Sequence, residues 1–326
     1  MRSFPLWLTL VLLCGLATVE ALSSPPSGQD EAPGIEPQRA VLITGASSGI
    51  GRKTAELLAS KGFFVYAGAR KEEDMKELDA IDNVQAVRLD VTIQADVDAA
   101  LAVVKAGGRG LYGLINNAGV VVVGPLVEIS EEDLDFQMDV NVMGPWRVTR
   151  AFAPLLIESK GRIATTGSIS GFTTWGLGGP YTMSKHAVEA YTDVLATEME
   201  SFEVAVCVVE PGNYKSRIMA SMQERIEASG YSTEGSLFQG SMDRLLDGPK
   251  DRGQFKEPDE VAEAFLSFLT SETPQRRYMV VPNQREAEVT VRAALARIVQ
   301  INQDHAYSYG RDELVKLLDE ALLAAK

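Results

Sequence analysis

Cysteine is almost missing from this chain: its 326 residues include two. Cys14 lies in an apolar N-terminal stretch, and Cys207 stands alone in a run that reads as a buried strand. Once the N-terminal stretch is removed no intrachain disulfide can form, and Cys207 serves as a small core hydrophobe. Histidine is equally scarce, with two. Neither belongs to a Cys/His cluster with zinc-ligand spacing, so no metal is expected. Positive charge is short as well. Lys and Arg number 31 against 45 Asp and Glu, a formal net charge of −14. That balance argues against nucleic acid, which asks for a basic face, and against adhesion to anionic lipid. The apolar stretch at 6–19 falls short of the ~20 residues that a spanning helix needs.

The remaining composition is that of a globular protein, with 45% apolar and 23% charged residues. Length allows one large domain or two. Arg2 ahead of the 6–19 run and Val19-Glu20-Ala21 behind it read as a cleaved secretory signal over residues 1–21. Residues 22–38, rich in Ser, Pro, Gly and Gln, read as a flexible linker. The chain is therefore expected in the secretory pathway, secreted or lumenal.

From residue 39 onward, apolar runs alternate with helical patterns. Strands are expected over 40–44, 63–68, 84–89, 111–116, 162–167, 204–209 and 277–281, and helices over 49–61, 93–105, 130–157, 180–202 and 258–271. Ser130 caps the third of these helices, and Glu131, Glu132 and Asp133 favour its positive end. Such alternation specifies an α/β fold, a doubly wound parallel sheet of about seven strands in a single domain. Residues 213–257 interrupt it, with Met219, Met222, Phe238, Leu245 and Phe255 among Gly and Ser. They read equally as a lid over an apolar substrate or as a surface insertion. Residues 286–326 read as a C-terminal helical extension.

Two motifs carry chemistry. The first strand runs into Thr44-Gly45-Ala46-Ser47-Ser48-Gly49-Ile50-Gly51 and then into a helical pattern. Gly45 suits a tight turn, Gly49 allows backbone to approach a pyrophosphate, and Gly51 allows helix and strand to pack closely. Amides at the helix start face the anion. The second motif is Tyr181 with Lys185, four residues apart and so on one helical face. A phenol has a reference pKa near 10, and lowering it by about three units needs roughly 4 kcal/mol, much of which a nearby ammonium can supply. Taken alone, the pair reads as a surface tyrosine beside a solvated lysine. The glycine turn is what changes that reading.

With these motifs the chain resembles the short-chain dehydrogenase/reductase family, in its short, cofactor-domain-only branch. The matching segments are TGASSGIG at 44–51, Asp90-Val91, Asn116-Asn117-Ala118-Gly119, Asn141, Ser168, Tyr181 with Lys185, and Pro211-Gly212. They occur in the family's order over about residues 39–285, and the extended branch's glycine spacing is not matched. The stretches 111–117 and 184–193 look most like members acting on retinols and steroids. The resemblance implies a Rossmann-like NAD(P)-binding catalytic domain over 39–285. It implies that Tyr181 is the general acid/base and that Lys185 lowers its pKa and binds the nicotinamide ribose. Ser168, with Ser170 as a nearby competitor, would polarise the substrate oxygen. Asn141 would hold a water linking Lys185 to solvent, the plainer reading being a helix residue satisfied locally.

The cofactor would lie against Thr44, Gly45, Ser47, Gly49, Ile50, Gly51, Asp90, Val91, Asn117, Ala118 and Gly119, and its nicotinamide against Pro211 and Gly212. Asp90 reads alternatively as a helix cap. At the end of the second strand Ala69 stands where an NAD-preferring fold carries an acid, and Arg70 follows. No carboxylate there repels a 2′-phosphate, and Arg70 can clamp one, so NADP is expected, with NAD as the alternative and Arg70 as a solvated turn residue the plainer reading. The expected activity is hydride transfer between NADP and a secondary alcohol, ketone or aldehyde of a hydrophobic steroid, retinoid or other lipid-like substrate. The alternative is a catalytically idle dinucleotide-binding sensor or scaffold. Family members commonly pair through their long helices, so a homo-oligomer is expected. Retinol- and steroid-type relatives are often held at the endoplasmic reticulum membrane, which keeps an uncleaved anchor as the rival to the signal.

Overall fold

The computed structural model describes residues 38–248 and 253–324. The signal or anchor expected at 1–21, and the linker up to residue 37, lie outside the described residues. Seven parallel strands form one sheet in the order β3-β2-β1-β4-β5-β6-β7. They are β1 Ala40–Ile43, β2 Phe64–Ala69, β3 Val84–Arg88, β4 Gly113–Asn116, β5 Arg162–Thr166, β6 Ala205–Pro211 and β7 Arg277–Val280. This is the doubly wound α/β sheet that the alternation of patterns specifies. The order reverses between β1 and β4, and the crevice at that reversal is where such sheets place their ligands.

Residues alternate across the sheet. Val41 and Ile43 of β1 pack on one face with Leu58, Phe265, Phe268 and Leu269, whereas Leu42 packs on the other with Val97, Val148 and Phe152. The first face is covered by α1 Gly49–Ser60 and α9 Asp259–Thr270, the second by α3 Gln94–Ala106 and α5 Gly144–Glu158. Each fully buried apolar side chain of this kind contributes about 1.5–3 kcal/mol relative to exposure. A short, charged α2, Glu72–Asp79, joins β2 to β3 and buries only Leu78.

The helix expected over 130–157 is broken. Ser130 does cap α4, Glu131–Met138, accepting from the Asp133 amide at 3.1 Å. A π-helical turn over Asp139–Met143 then separates α4 from α5. The cause is Pro145: without an N–H it cannot donate to the Asn141 carbonyl, so the regular ladder fails there. The Gly144 amide reaches the Asp139 carbonyl, the wider spacing of a π turn.

The helix that carries Tyr181 and Lys185 is α6, Gly179–Met199. Within 213–257 the chain folds α7 Ile218–Ser229 and α8 Gln239–Leu246. Two further helices, α10 Gln284–Ile301 and α11 Arg311–Ala324, follow β7. Asn283 caps α10 by accepting from the Glu286 amide at 3.1 Å. Among the described residues no helix is long and apolar enough to cross a membrane, and no group of three His, Cys, Asp or Glu side chains could hold a metal.

Candidate active site

The turn after β1 folds as the glycines require. Gly45 and Gly49 have φ of +65° and +55°. A Cβ on Gly51 would fall 2.3 Å from the Gly45 carbonyl oxygen and 2.5 Å from Asn117 Nδ2. Gly51 is therefore fixed by the turn folding back on itself and on Asn117, not by packing of helix on strand. Thr44 is buried, and its hydroxyl accepts from the Asn117 and Ala118 amides at 2.9 Å each. Asn117 donates in return to the Thr44 and Gly45 carbonyls at 3.1 Å. The two loops, one after β1 and one after β4, are thus stitched together by residues far apart in sequence.

No side chain caps the start of α1, and its first turn carries no acid. Such a helix start suits an anion. A cavity of about 630 Å³ opens beside it, lined by Gly49, Ser216, the cations Arg52, Lys53, Lys215 and Arg217 and the carboxylates Glu56 and Glu257, which pair with Arg52 and Lys215; Tyr181 does not line it. Ser47 and Ile50 are half-buried on the turn. Gly119 lies near Asn141, with room for a Cβ at 3.5 Å from Asn141 Oδ1.

Arg70 is exposed at the end of β2 and pairs with Asp90 at 3.7 Å. A carboxylate therefore stands beside this arginine after all, contributed by the segment just after the neighbouring strand β3 and invisible in the sequence around Arg70. Burial works against the Asp90 charge, but bonds from the Thr92 hydroxyl and amide, with the Arg70 charge, hold its carboxyl below the ordinary range. Asp90 accepts these bonds in a local turn and caps no helix. Arg88 donates to the Arg70 carbonyl at 3.2 Å, a second guanidinium that sequence reasoning passed over. Val91 is buried in the core beneath them.

Tyr181 and Lys185 meet as the helical spacing demands. The Lys185 Nζ lies 5.7 Å from the Tyr181 ring centroid and donates to the Thr166 carbonyl at 2.7 Å. Lys185 is buried, and desolvation brings its pKa down to about 8 against the opposing pull of Glu189. Ser168 is buried where β5 ends, and its hydroxyl accepts from the Ser170 amide at 3.1 Å. Asn141 sits in the π turn, donating to the Val120 carbonyl and the Ser184 hydroxyl at 3.0 Å, while its Oδ1 accepts from the Val120 amide at 2.8 Å. Its partners are distant in sequence, which sets aside the reading of a locally satisfied helix residue.

Pro211 closes β6, and the Gly212 amide donates to the Val280 carbonyl at 2.8 Å. A Cβ on Gly212 would fall 2.2 Å from Glu286, whose carboxylate accepts from the Asn213 amide at 2.8 Å. Sequence reasoning missed Glu286, and also Ser216, whose Cβ would lie 3.2 Å from a Cβ on Gly49. A hydroxyl residue four places after Pro211-Gly212 was the available signal for Ser216. Beside Tyr181 an apolar wall gathers Val121, Val123, Ile218, Met219, Met222, Ile226 and Leu245, so α7 and α8 supply its outer part.

A strand, glycine turn and helix, linked through Asn117 and Thr166 to the anchor of Lys185, define a dinucleotide-binding α/β protein. Residues 39–227 match the family described as short chain dehydrogenase, and the chain belongs to that family. It is 36% identical over 200 residues to the mitochondrial D-beta-hydroxybutyrate dehydrogenase of Mus musculus, and it spans 58% of that relative's length and 58% of its own. It is 32% identical over 255 residues to the NADPH-dependent 3-dehydrocapnine reductase of Ornithobacterium rhinotracheale, covering 76% of this chain and 89% of that one. The solved structure of a short chain dehydrogenase/reductase from Burkholderia phymatum in complex with NAD is similar at a TM-score of 0.70 and 28% identity, over 83% of this chain and 98% of that one.

Proposed function

We propose that this chain is an NADP-dependent oxidoreductase that interconverts an alcohol and a carbonyl on a hydrophobic substrate. The observation that carries the reading is the buried Lys185 ammonium over the Tyr181 ring at 5.7 Å. The residues of the glycine turn fit a dinucleotide, because Gly45, Gly49 and Gly51 leave backbone where a side chain would stand. A nicotinamide cofactor, once bound, supplies or accepts the hydride.

What the chain itself contributes is positioning and proton handling. Tyr181 gives its phenolic proton to a carbonyl oxygen or takes one from an alcohol, and Lys185 favours the phenolate by its charge. Ser168 offers its hydroxyl to the same substrate oxygen. Asn141 holds the loop at Val120 against α6 through Ser184, the residue next to Lys185, and its part in a proton relay to solvent belongs to this proposal. The wall of Val121, Val123, Met219 and Met222 suits an apolar substrate body. Arg70 supports NADP, and Asp90 beside it is the residue it must share its charge with.

Tyr181→Phe tests the reading. Turnover of an alcohol substrate should vanish while NADPH still binds, and unchanged turnover would remove the mechanism. Entry to the secretory pathway and pairing through the long helices belong to the same proposal. N-terminal sequencing of the native protein and its sedimentation behaviour check them.

A further inference from the structure

Tyr181, Lys185, Glu189 and Asp193 occupy successive turns of α6, four residues apart. Glu189 is buried, and its Oε2 accepts from Arg277 of β7 through Nε and Nη2, both at 3.2 Å. Arg277 also donates to Asp193 at 2.8 Å and lies 3.3 Å from Glu210 of β6. The Oε1 atoms of Glu189 and Glu210 are both sealed from solvent and accept no hydrogen bond among the described residues, Glu210 Oε1 having only the 3.3 Å approach of Arg277 Nε. The two carboxyls are within hydrogen-bonding reach of each other, so a single proton on one of them would serve both.

The position of Glu189 Oε1 is the informative detail. A Cβ on Gly171 would fall 2.8 Å from it, and one on Gly167 would fall 3.0 Å from it. These glycines bracket Ser168, and Thr166, one residue earlier, supplies the carbonyl that holds Lys185. The segment 166–171 therefore carries both the serine and the lysine's anchor, and it rests on the Glu189 carboxylate.

We propose that Glu189 is a positioning residue of the active site. Anchored by Arg277, its carboxylate seats the loop that carries Ser168 and supplies the negative charge one helical turn behind Lys185. This rests on the catalytic reading of Tyr181 and Lys185. The ionisable groups facing Glu189 are Lys185 and Asp193 on its own helix, Glu210 on β6 and Arg277 on β7. Burial and the Glu189 charge push Glu210 up to about 8. Burial raises the Glu189 carboxyl as well, and the Arg277 charge and hydrogen bonds oppose that rise. The two bonds from Arg277 to Glu189 Oε2 are what favour the negative charge on Glu189. That charge favours protonated Lys185, whose own charge favours the Tyr181 phenolate. With Lys185 already brought down to about 8, losing the Glu189 charge carries its deprotonation towards the acid limb. An uncharged Lys185 costs the phenolate more than removal of a carboxylate two turns away returns.

The test is the pH profile of alcohol oxidation at saturating NADP. Glu189→Gln should move its acid limb to higher pH by about one unit, with the Michaelis constant for NADP unchanged. Glu210→Gln, which leaves Glu189 charged and gives it an amide donor, should leave the limb in place. Gly171→Ala presses a methyl against Glu189 and should lower kcat about tenfold at unchanged cofactor KM, a loss of about 1.4 kcal/mol. This variant decides the seating of the loop even if Glu189→Gln fails to fold. An unmoved limb in Glu189→Gln, an equal displacement in Glu210→Gln, or an unaffected Gly171→Ala overturns the proposal. Tyr181→Phe in the same assay separates the two readings: activity retained there removes the catalytic assignment itself, whereas loss there with an unmoved Glu189→Gln limb removes only the role of Glu189.

Discussion

The Asn117 carboxamide donates to the carbonyl oxygens of both Thr44 and Gly45, each at 3.1 Å. One side chain after β4 thereby fixes the turn after β1. Asn117→Ala leaves those two acceptors without it, at a cost of about 1–3 kcal/mol. Its melting temperature should fall and NADPH should bind more weakly, by about tenfold for each 1.4 kcal/mol of binding energy lost. Thermal unfolding and fluorescence titration on the same preparation check both.

Gly51 gives a sharper steric prediction. Its Cβ would meet backbone at 2.3 Å, whereas a Cβ on Gly176 meets nothing within 4 Å. Gly51→Ala should therefore abolish cofactor binding, and Gly176→Ala should change neither binding nor stability measurably. Isothermal titration with NADPH distinguishes them.

Lys185 carries a stability signature. Its pKa falls from 10.5 to about 8 because folding strips water from the ammonium, against a smaller pull from Glu189. The unfolded chain binds this proton more tightly, so the group opposes folding below about 8, and that opposition fades as pH rises towards 10.5. The full effect is about 3 kcal/mol. Stability relative to Lys185→Met should rise across this window, read by urea unfolding on both sides of pH 8. Glu210, raised by burial to about 8, acts in the opposite sense between 4.5 and 8. It is present in both proteins, so comparing them largely cancels its contribution.

Arg70→Ala should raise the Michaelis constant for NADPH by about tenfold or more, the worth of a charge-assisted contact, with little effect on NADH. Steady-state kinetics with both cofactors measure the difference. Equal effects would mean that Arg70 serves Asp90 alone.

The features legible in the sequence are the local ones. The strand, glycine turn and helix at 40–60 show themselves by adjacency, and Tyr181 and Lys185 by a spacing of one helical turn. The π turn at Asn141 was legible in principle from Pro145, but helical periodicity on either side masked it. The short helix α2 is too polar for periodicity to report. Arg277 and Glu189 are 88 residues apart, and Asn213 and Glu286 are 73 apart. No pattern in the chain pairs them, because the sheet order alone brings them together. The same holds for Asp90 beside Arg70, which a reading of β2 by itself does not contain.

Ser168 accepts the Ser170 amide and so begins the short 3-10 turn that follows it. A hydroxyl has one hydrogen and two lone pairs, so this serine spends a lone pair on its own loop and keeps its hydrogen for whatever enters the cleft. Shaping the loop and greeting the guest are then done by a single oxygen atom. An alanine at this position would forfeit both at once, and the resulting kinetic deficit would overstate the worth of the bond to substrate.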